Sequence, residues 1–387
     1  MGSTVEEPTP RRGRGRGWLA VLMAGVLAGG AAGVLSLRPS TDGPSAGATA
    51  PAVAPRDLLA GLPARVVPPP ALADLPTERA VGPAAFLYHV DLPGGFDEAT
   101  GTSRQHDIHL VTRTGQQFRV GRTPAAVGPV NQSLSPDGRW LAVRRGGQWW
   151  IRDLTDTTER AVPTGYELWR WSTDSGAVVL AELSQSTRAF AVLSMRNGSL
   201  RRLDVAATPL TDAVTLVNGR YLVLVDLTPA ARGARARPEL AVTVRDIDTA
   251  ATRTVPVLRP GQLGPGESFN AIVPLLDGGG TPARVWVQLG RPDLQPTDLP
   301  EGLPAIPASS LIGVDVRSGE PAGRIDLSPV GTGSAELYEG IIGADVVLTR
   351  RIRERTELVA VEPGAGSRRV LTTLPDATRV LVPGRQW

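Results

Sequence analysis

The histidines of this chain, His89, His106 and His109, fall in one short stretch with Asp91, Asp97, Glu98 and Asp107 around them. Imidazole and carboxylate together are ligands for zinc or manganese, so this is the first chemistry to weigh. If 84–90 and 107–112 pair as antiparallel strands, His89 and His109 approach one another across the pair. However, His106 and His109 are three residues apart, an odd spacing that sends strand side chains to opposite faces. Nothing in 91–106 fixes the path of that loop either. We assign no metal and no cofactor on this basis. A second chemistry would be carboxylates: glycosidic cleavage needs two acids at a set separation. Two candidates stand at strand starts, Glu167 and Asp212, with no sign that they pair. A third would be Ser45, because Gly43-Pro44-Ser45-Ala46-Gly47 has the spacing of a nucleophile elbow. That motif works only on a tight strand-to-helix turn, and the Pro-rich surroundings of Ser45 supply no strand. The sequence therefore names no catalytic residue.

Composition removes further chemistries. The 387 residues contain no Cys, and all 41 basic residues are Arg. Schiff-base lysines, phosphate-binding loops with Lys, thiol nucleophiles, disulfides and thiolate zinc sites are all excluded. The net charge is +3, and Arg11, Arg12, Arg14 and Arg16 against Glu6 and Glu7 supply most of it. The remainder is close to neutral and its Arg residues are scattered among acids, which is not the basic face that nucleic acid requires.

The positioning elements begin with Trp18–Leu37, which carries no charged residue. At 1.5 Å per residue it spans a hydrocarbon core of about 30 Å and reads as one transmembrane helix. The Arg cluster before it keeps residues 1–17 cytoplasmic and places the rest outside the cell. Signal cleavage near Ala31-Ala32-Gly33, giving a secreted protein, is the competing reading. Residues 38–83 hold ten prolines among many Ala and Gly, and a disordered linker is expected there.

From 84 to 387 a strand-rich unit recurs, which with Gly 44 and Pro 35 argues for an all-β fold. In the clearest unit 130–135 leads through Pro136-Asp137-Gly138 into 139–145, then 148–154, then 159–162. Strand, turn, strand, strand, strand is one propeller blade. Further units start at 167, 212, 270 and 338, and 84–90, 107–112 and 116–121 give three strands of a first blade with no inner strand before them. The run TRVLVP at 378–383 resembles TLVNGR at 215–220 in its opening and would supply the missing strand from the C-terminus. A six-bladed β-propeller closed by a C-terminal strand is expected, with five or seven blades as alternatives. Ring closure leaves no open sheet edge at the seam, so a monomer is expected.

The runs SLSPDGRWLAV at 133–143 and WSTDSGAVVLA at 171–181 resemble the repeats of TolB-type, WD-like propellers. That resemblance implies an extracytoplasmic bacterial propeller that binds proteins or sits beside peptidase domains, and it brings no catalytic residues with it. Loops joining second to third strands all leave one side of such a disc. Residues 91–106, 228–238 and 290–309 are therefore expected to crowd one face, with Asp97, Arg232, Arg235, Arg237, Asp293 and Asp298 as the candidate partner face. Five of eight tryptophans crowd into 140–171; most suit core packing, and Trp149 and Trp150 are the candidates for an aromatic partner contact. The functional expectation is a membrane-anchored, non-catalytic interaction or sensing module whose partner is another membrane or envelope protein. The alternative is an extracytoplasmic carbohydrate- or peptide-processing hydrolase or lyase using channel carboxylates.

Overall fold

The structure, a computed structural model, describes residues 61–384 except 70, 92–95, 98–101, 104, 125–131, 184–187, 206–210, 227–239, 260, 274–283, 292–307, 317, 328–335, 343–344, 353–354, 363–366 and 376–378. The expected transmembrane span 18–37 and the cytoplasmic tail 1–17 lie outside these residues. Among the described residues, no helix is long and apolar enough to cross a membrane.

Six four-stranded antiparallel sheets follow one another as blades. Blade 1 contains β1 (Ala84–Asp91), β4 (Gln105–Thr112) and β5 (Gln117–Pro124), with the two-residue strands β2 (Phe96–Asp97) and β3 (Thr102–Ser103) paired between β1 and β4. Blade 2 is β6 (Gln132–Leu134), β7 (Trp140–Arg145), β8 (Gln148–Asp153) and β9 (Glu159–Ala161). Blade 3 is β10 (Glu167–Trp171), β11 (Ala177–Leu183), β12 (Arg188–Ser194) and β13 (Leu200–Leu203). Blade 4 is β14 (Thr211–Val217), β15 (Tyr221–Asp226), β16 (Leu240–Asp246) and β17 (Thr252–Leu258). Blade 5 is β18 (Ser268–Val273), β19 (Arg284–Gly290), β20 (Ala308–Asp315) and β21 (Pro321–Asp326). Blade 6 is β22 (Glu336–Ile342), β23 (Asp345–Ile352), β24 (Arg355–Val361) and β25 (Arg368–Pro375). The chain then returns as β26 (Arg379–Leu381), which pairs with β1 as the innermost strand of blade 1 through Leu87↔Leu381, Tyr88↔Val380 and His89↔Arg379.

The core shows why the ring closes. A separate buried cluster fills each of the six gaps between neighbouring blades, the last of them joining Phe86 and Tyr88 of blade 1 to Val347, Leu358 and Ala360 of blade 6. Strand side chains alternate, so one strand feeds two clusters: Phe86 and Tyr88 face blade 6 while Leu87 faces blade 2. Middle strands are thus buried on both faces, and this is why 177–181 and 346–348 read as unbroken apolar runs. Each fully buried Val, Leu or Phe contributes about 1.5–3 kcal/mol. In blade 5 Trp286 fits because its register partner is Gly313, where an added Cβ would meet the indole at 3.1 Å.

One expectation needs correction. Residues 61–69 and 71–82, inside the expected disordered linker 38–83, lie against the blades and bond to them. Val66 N–H donates to Thr373 O at 2.9 Å, Leu75 N–H to Arg119 O at 2.8 Å and Val81 N–H to Leu154 O at 2.9 Å. Val66 is 2% exposed. The prolines do not prevent this, because a segment lying along a sheet edge needs only some of its N–H groups for pairing.

Candidate functional site

Antiparallel strands place the connections between second and third strands of each blade at one end of the ring. The strand ends Asp91 and Gln105, Asp226 and Leu240, and Gly290 and Ala308 bracket the three long connections there, as the sequence implied. Of the candidate partner-face residues, Asp97 falls in β2 with only its backbone described, and Arg232, Arg235, Arg237, Asp293 and Asp298 lie outside the described residues.

The opposite end is built from the turns that link first to second strands. In Ser135-Pro136-Asp137-Gly138, Ser135 Oγ donates to Asp137 Oδ1 at 2.5 Å and accepts from Trp140 N–H at 2.9 Å. Ser172 repeats both bonds, to Asp174 Oδ1 at 2.6 Å and from Ala177 N–H at 2.9 Å. The turns also join blade to blade. Asp137 N–H donates to Ser175 Oγ at 2.9 Å, Asn218 N–H to Thr173 Oγ1 at 2.9 Å, and Ala84 N–H to Gly138 O at 2.8 Å. Gly384 N–H, just past the closing strand, donates to Leu134 O at 2.8 Å. A chain of hydrogen bonds therefore runs through blades 1, 2, 3 and 4 at this end: the hydroxyls of Ser175 and Thr173 cross between blades, and the repeated Ser and Asp hold each turn in shape locally.

The described carboxylates that lie in or between blades are engaged by donors of the fold. Glu167 accepts from Arg144 and from the Trp149 indole, both at 2.8 Å. Glu267, just ahead of β18 in blade 5, has a buried side chain, which alone would raise its pKa; Arg324 at 2.7 Å, Gly264 N–H, Ser310 and Ser309 outweigh burial and hold it below the usual carboxylate range. Asp153 is held low in the same way, with Arg139 and Thr155 overcoming burial. Glu357 pairs with Arg350 at 2.6 Å and Arg355 at 3.1 Å. Of Asp212, the other acid singled out from the sequence, the backbone alone is described.

His89 and His109 are kept apart. Tyr88 is the register partner of His109, and His89 that of Ile108, so His89 and His109 occupy opposite faces of blade 1. The His109 side chain is 6% exposed; its Nδ1 lies 2.9 Å from Tyr88 Oη, and Tyr88 donates to Gln117 Oε1 at 2.6 Å. Because Gln117 Nε2 donates to Val67 O, the amide orientation is set and the Tyr88 proton goes to Gln117. His109 Nδ1 must then carry the proton that bonds Tyr88 Oη. Burial lowers the His109 pKa, opposed by Asp107 and reinforced by Arg119, and burial raises that of Tyr88. Among the described residues, no three His, Asp or Glu side chains come together to hold a metal ion.

Trp149 is 5% exposed and packs with Trp140 and Trp171 between blades 2 and 3, where Trp171 Nε1 also donates to Ser133 Oγ at 2.8 Å. Its ring is core, so of the two candidate aromatic contacts only the half-buried Trp150 presents surface.

Sequence reasoning missed a positional regularity. The register between first and second strands shifts in β10, β14, β18 and β22, at Trp169, Val214, Asn270 and Glu339, which is a β-bulge at one equivalent place in four blades. Glu339, 4% exposed, accepts from Thr349 Oγ1 at 2.7 Å. A bulge leaves no mark in hydrophobic alternation this short, and only alignment of the four units would have shown it.

No protein-family model and no curated protein matches the chain. Among solved structures, TolB from Acinetobacter baumannii is similar, with 14% identity, a TM-score of 0.41, and coverage of 75% of this chain and 66% of that one. An oligogalacturonate lyase in complex with manganese is 13% identical over 77% of this chain and 75% of that chain, with a TM-score of 0.38. Dipeptidyl peptidase 4 from Porphyromonas gingivalis is 11% identical over 76% of this chain and 51% of its own, with a TM-score of 0.36. At these identities the likeness is one of fold.

Proposed function

We propose that the chain is a membrane-anchored, extracytoplasmic β-propeller that acts as a non-catalytic protein-interaction or sensing module. The supporting observation is the state of its acids. Glu167, Glu267 and Asp153 are each committed to an Arg and to further donors inside the fold, and Glu357 to Arg350 and Arg355. A general acid or base must have a carboxyl directed at substrate, and each of these is directed at donors of the fold instead. The anchor rests on the uncharged run Trp18–Leu37 behind the Arg cluster at 11–16, which sets the propeller outside the cell under the positive-inside rule. The partner is another membrane or envelope protein, taken at the end where the long second-to-third strand connections emerge.

Two measurements test the reading. Full-length chain is expected in the membrane fraction, resistant to alkaline extraction; recovery of a shortened chain from the culture medium would replace the anchor with a cleaved leader. Purified chain incubated with acidic polysaccharides and with peptides is expected to leave them intact. Cleavage that disappears in Glu167→Gln would overturn the non-catalytic assignment.

A further inference from the structure

Blade 1 is the one place where the two ends of the propeller sequence meet, and its inner closure is short. Among the described residues, β26 pairs with β1 at three positions. On the outside, residues 61–82 straddle the same blade. Before the seam, Val66 N–H and Ala64 O bond Thr373 of β25, and Thr372 Oγ1 donates to Pro63 O at 2.7 Å. Past the seam, Ala73 O and Leu75 N–H bond Arg119 of β5, and Asp74 pairs with the Arg119 side chain at 2.6 Å. Farther on, Val81 and Gly82 N–H both donate to Leu154 O of blade 2 at 2.9 Å. Both bridges, Arg65↔Thr373 and Asp74↔Arg119, are parallel, so the segment runs as an added edge on two different blades.

Its apolar side chains enter the gaps on either side of blade 1. Val66 and Leu62 join the cluster between blades 6 and 1, and Leu75 and Val81 join that between blades 1 and 2. Two polar groups depend on it as well. Arg152 of blade 2, 3% exposed, donates to the carbonyls of Pro76 and Arg79. The chain of bonds from His109 through Tyr88 and Gln117 ends on Val67 O at 2.7 Å. Lifting the segment would leave the buried Arg152 guanidinium and the Gln117 amide, where the bonds from His109 and Tyr88 end, without these acceptors, which a merely adjacent peptide would not do.

We propose that residues 61–82 are a clasp that fastens the ring across its closure seam, so that releasing the clasp loosens blade 1 and its contacts with blade 6 while blades 3, 4 and 5 stay closed. The proposal is independent of which partner the ring takes.

Hydrogen exchange of the full-length chain tests it. In Val66→Asp, the amides of β1, β4, β5, β25 and β26 are expected to exchange about tenfold faster, with those of β10–β20 unchanged. Val66→Ala keeps the segment apolar and is expected to give the same pattern at smaller amplitude; it carries the test if the Asp variant does not fold. Acceleration spread evenly over all blades would overturn the proposal. So would acceleration confined to 61–82, or no change in either variant.

Discussion

Arg139 directs both Nε and Nη2 at a single oxygen of Asp153, at 2.8 and 2.6 Å, and so ties the first turn of blade 2 to the end of its third strand. Arg220 does the same to Asp246 Oδ2 in blade 4, at 3.0 and 2.7 Å. In both blades the Arg follows the turn and the Asp ends the third strand, and the other Asp oxygen accepts a backbone N–H two residues on. The pair is a repeated stitch between two turns of one blade.

Removing the buried half of the stitch is expected to be costly. Asp153 is 2% exposed, and its loss removes the acceptor of the Thr155 N–H and hydroxyl and of the Arg139 guanidinium, which keeps partial contact with solvent. Asp153→Ala should lower stability by about 2–3 kcal/mol, read as a fall in urea midpoint with unchanged slope. Asp153→Asn keeps an acceptor and should lose less.

The solvent-facing stitch should act through pH. The Arg220 hydrogen bond, against slight burial and with the N–H groups of Asp248 and Thr249 assisting, pulls the Asp246 pKa down to about 2. A carboxylate lowered on folding stabilises above its unfolded pKa of about 3.9, and that contribution fades as pH falls toward the folded value. The melting temperature of the native chain should therefore fall between pH 4 and about 2, and that of Asp246→Asn should fall less over the same interval.

His109 gives a second pH window. Its pKa is lowered by burial, so the unfolded chain takes up the proton first. Stability is then full above the unfolded histidine value of about 6.5 and declines below it. Asp107 and Arg119, the charged groups acting on the ring, pull in opposite directions and leave burial in control. In His109→Gln the decline between pH 6.5 and 5 should flatten, as thermal melts at half-unit steps would show.

Gly138 closes the turn of blade 2 at φ +69°, and a Cβ there would stand 2.1 Å from Ala84 O of blade 1. Since Ala84 N–H also bonds Gly138 O, neither backbone can retreat. Gly138→Ala should cost more than about 2 kcal/mol, combining left-handed strain with the clash. Gly146→Ala, also at positive φ but with open space around it, is the control and should cost less.

The ring itself was readable in the sequence because its turns carry side-chain chemistry. Ser135, Asp137, Ser172 and Asp174 fix the turns through local bonds, so the turn sequence and the turn structure coincide. The returning strand 379–381 was readable because its run of apolar residues matches another inner strand. Glu339 escaped, since Gly343-Ala344 lacks the Ser and Asp of that turn sequence and Gly340 interrupts the apolar pattern ahead of it. The clasp escaped for a different reason. Pro63 and Pro76 count against order when composition alone is weighed, yet each serves the fold as an acceptor, for Thr372 and Arg152. Of the candidate partner face, strand alternation fixes the end of the ring from which its loops depart and nothing about their side chains.

Site-specific photocrosslinking in intact cells tests the interaction reading most directly. A photoreactive residue is placed at Arg235 or Asp293 in the second-to-third strand connections, and at Leu200, 37% exposed on the outer strand β13, as a reference. One discrete adduct with the same envelope protein from both loop positions, and none from Leu200, is the expected result. Absence of an adduct at both loop positions, or equal adducts at all three sites, would contradict it.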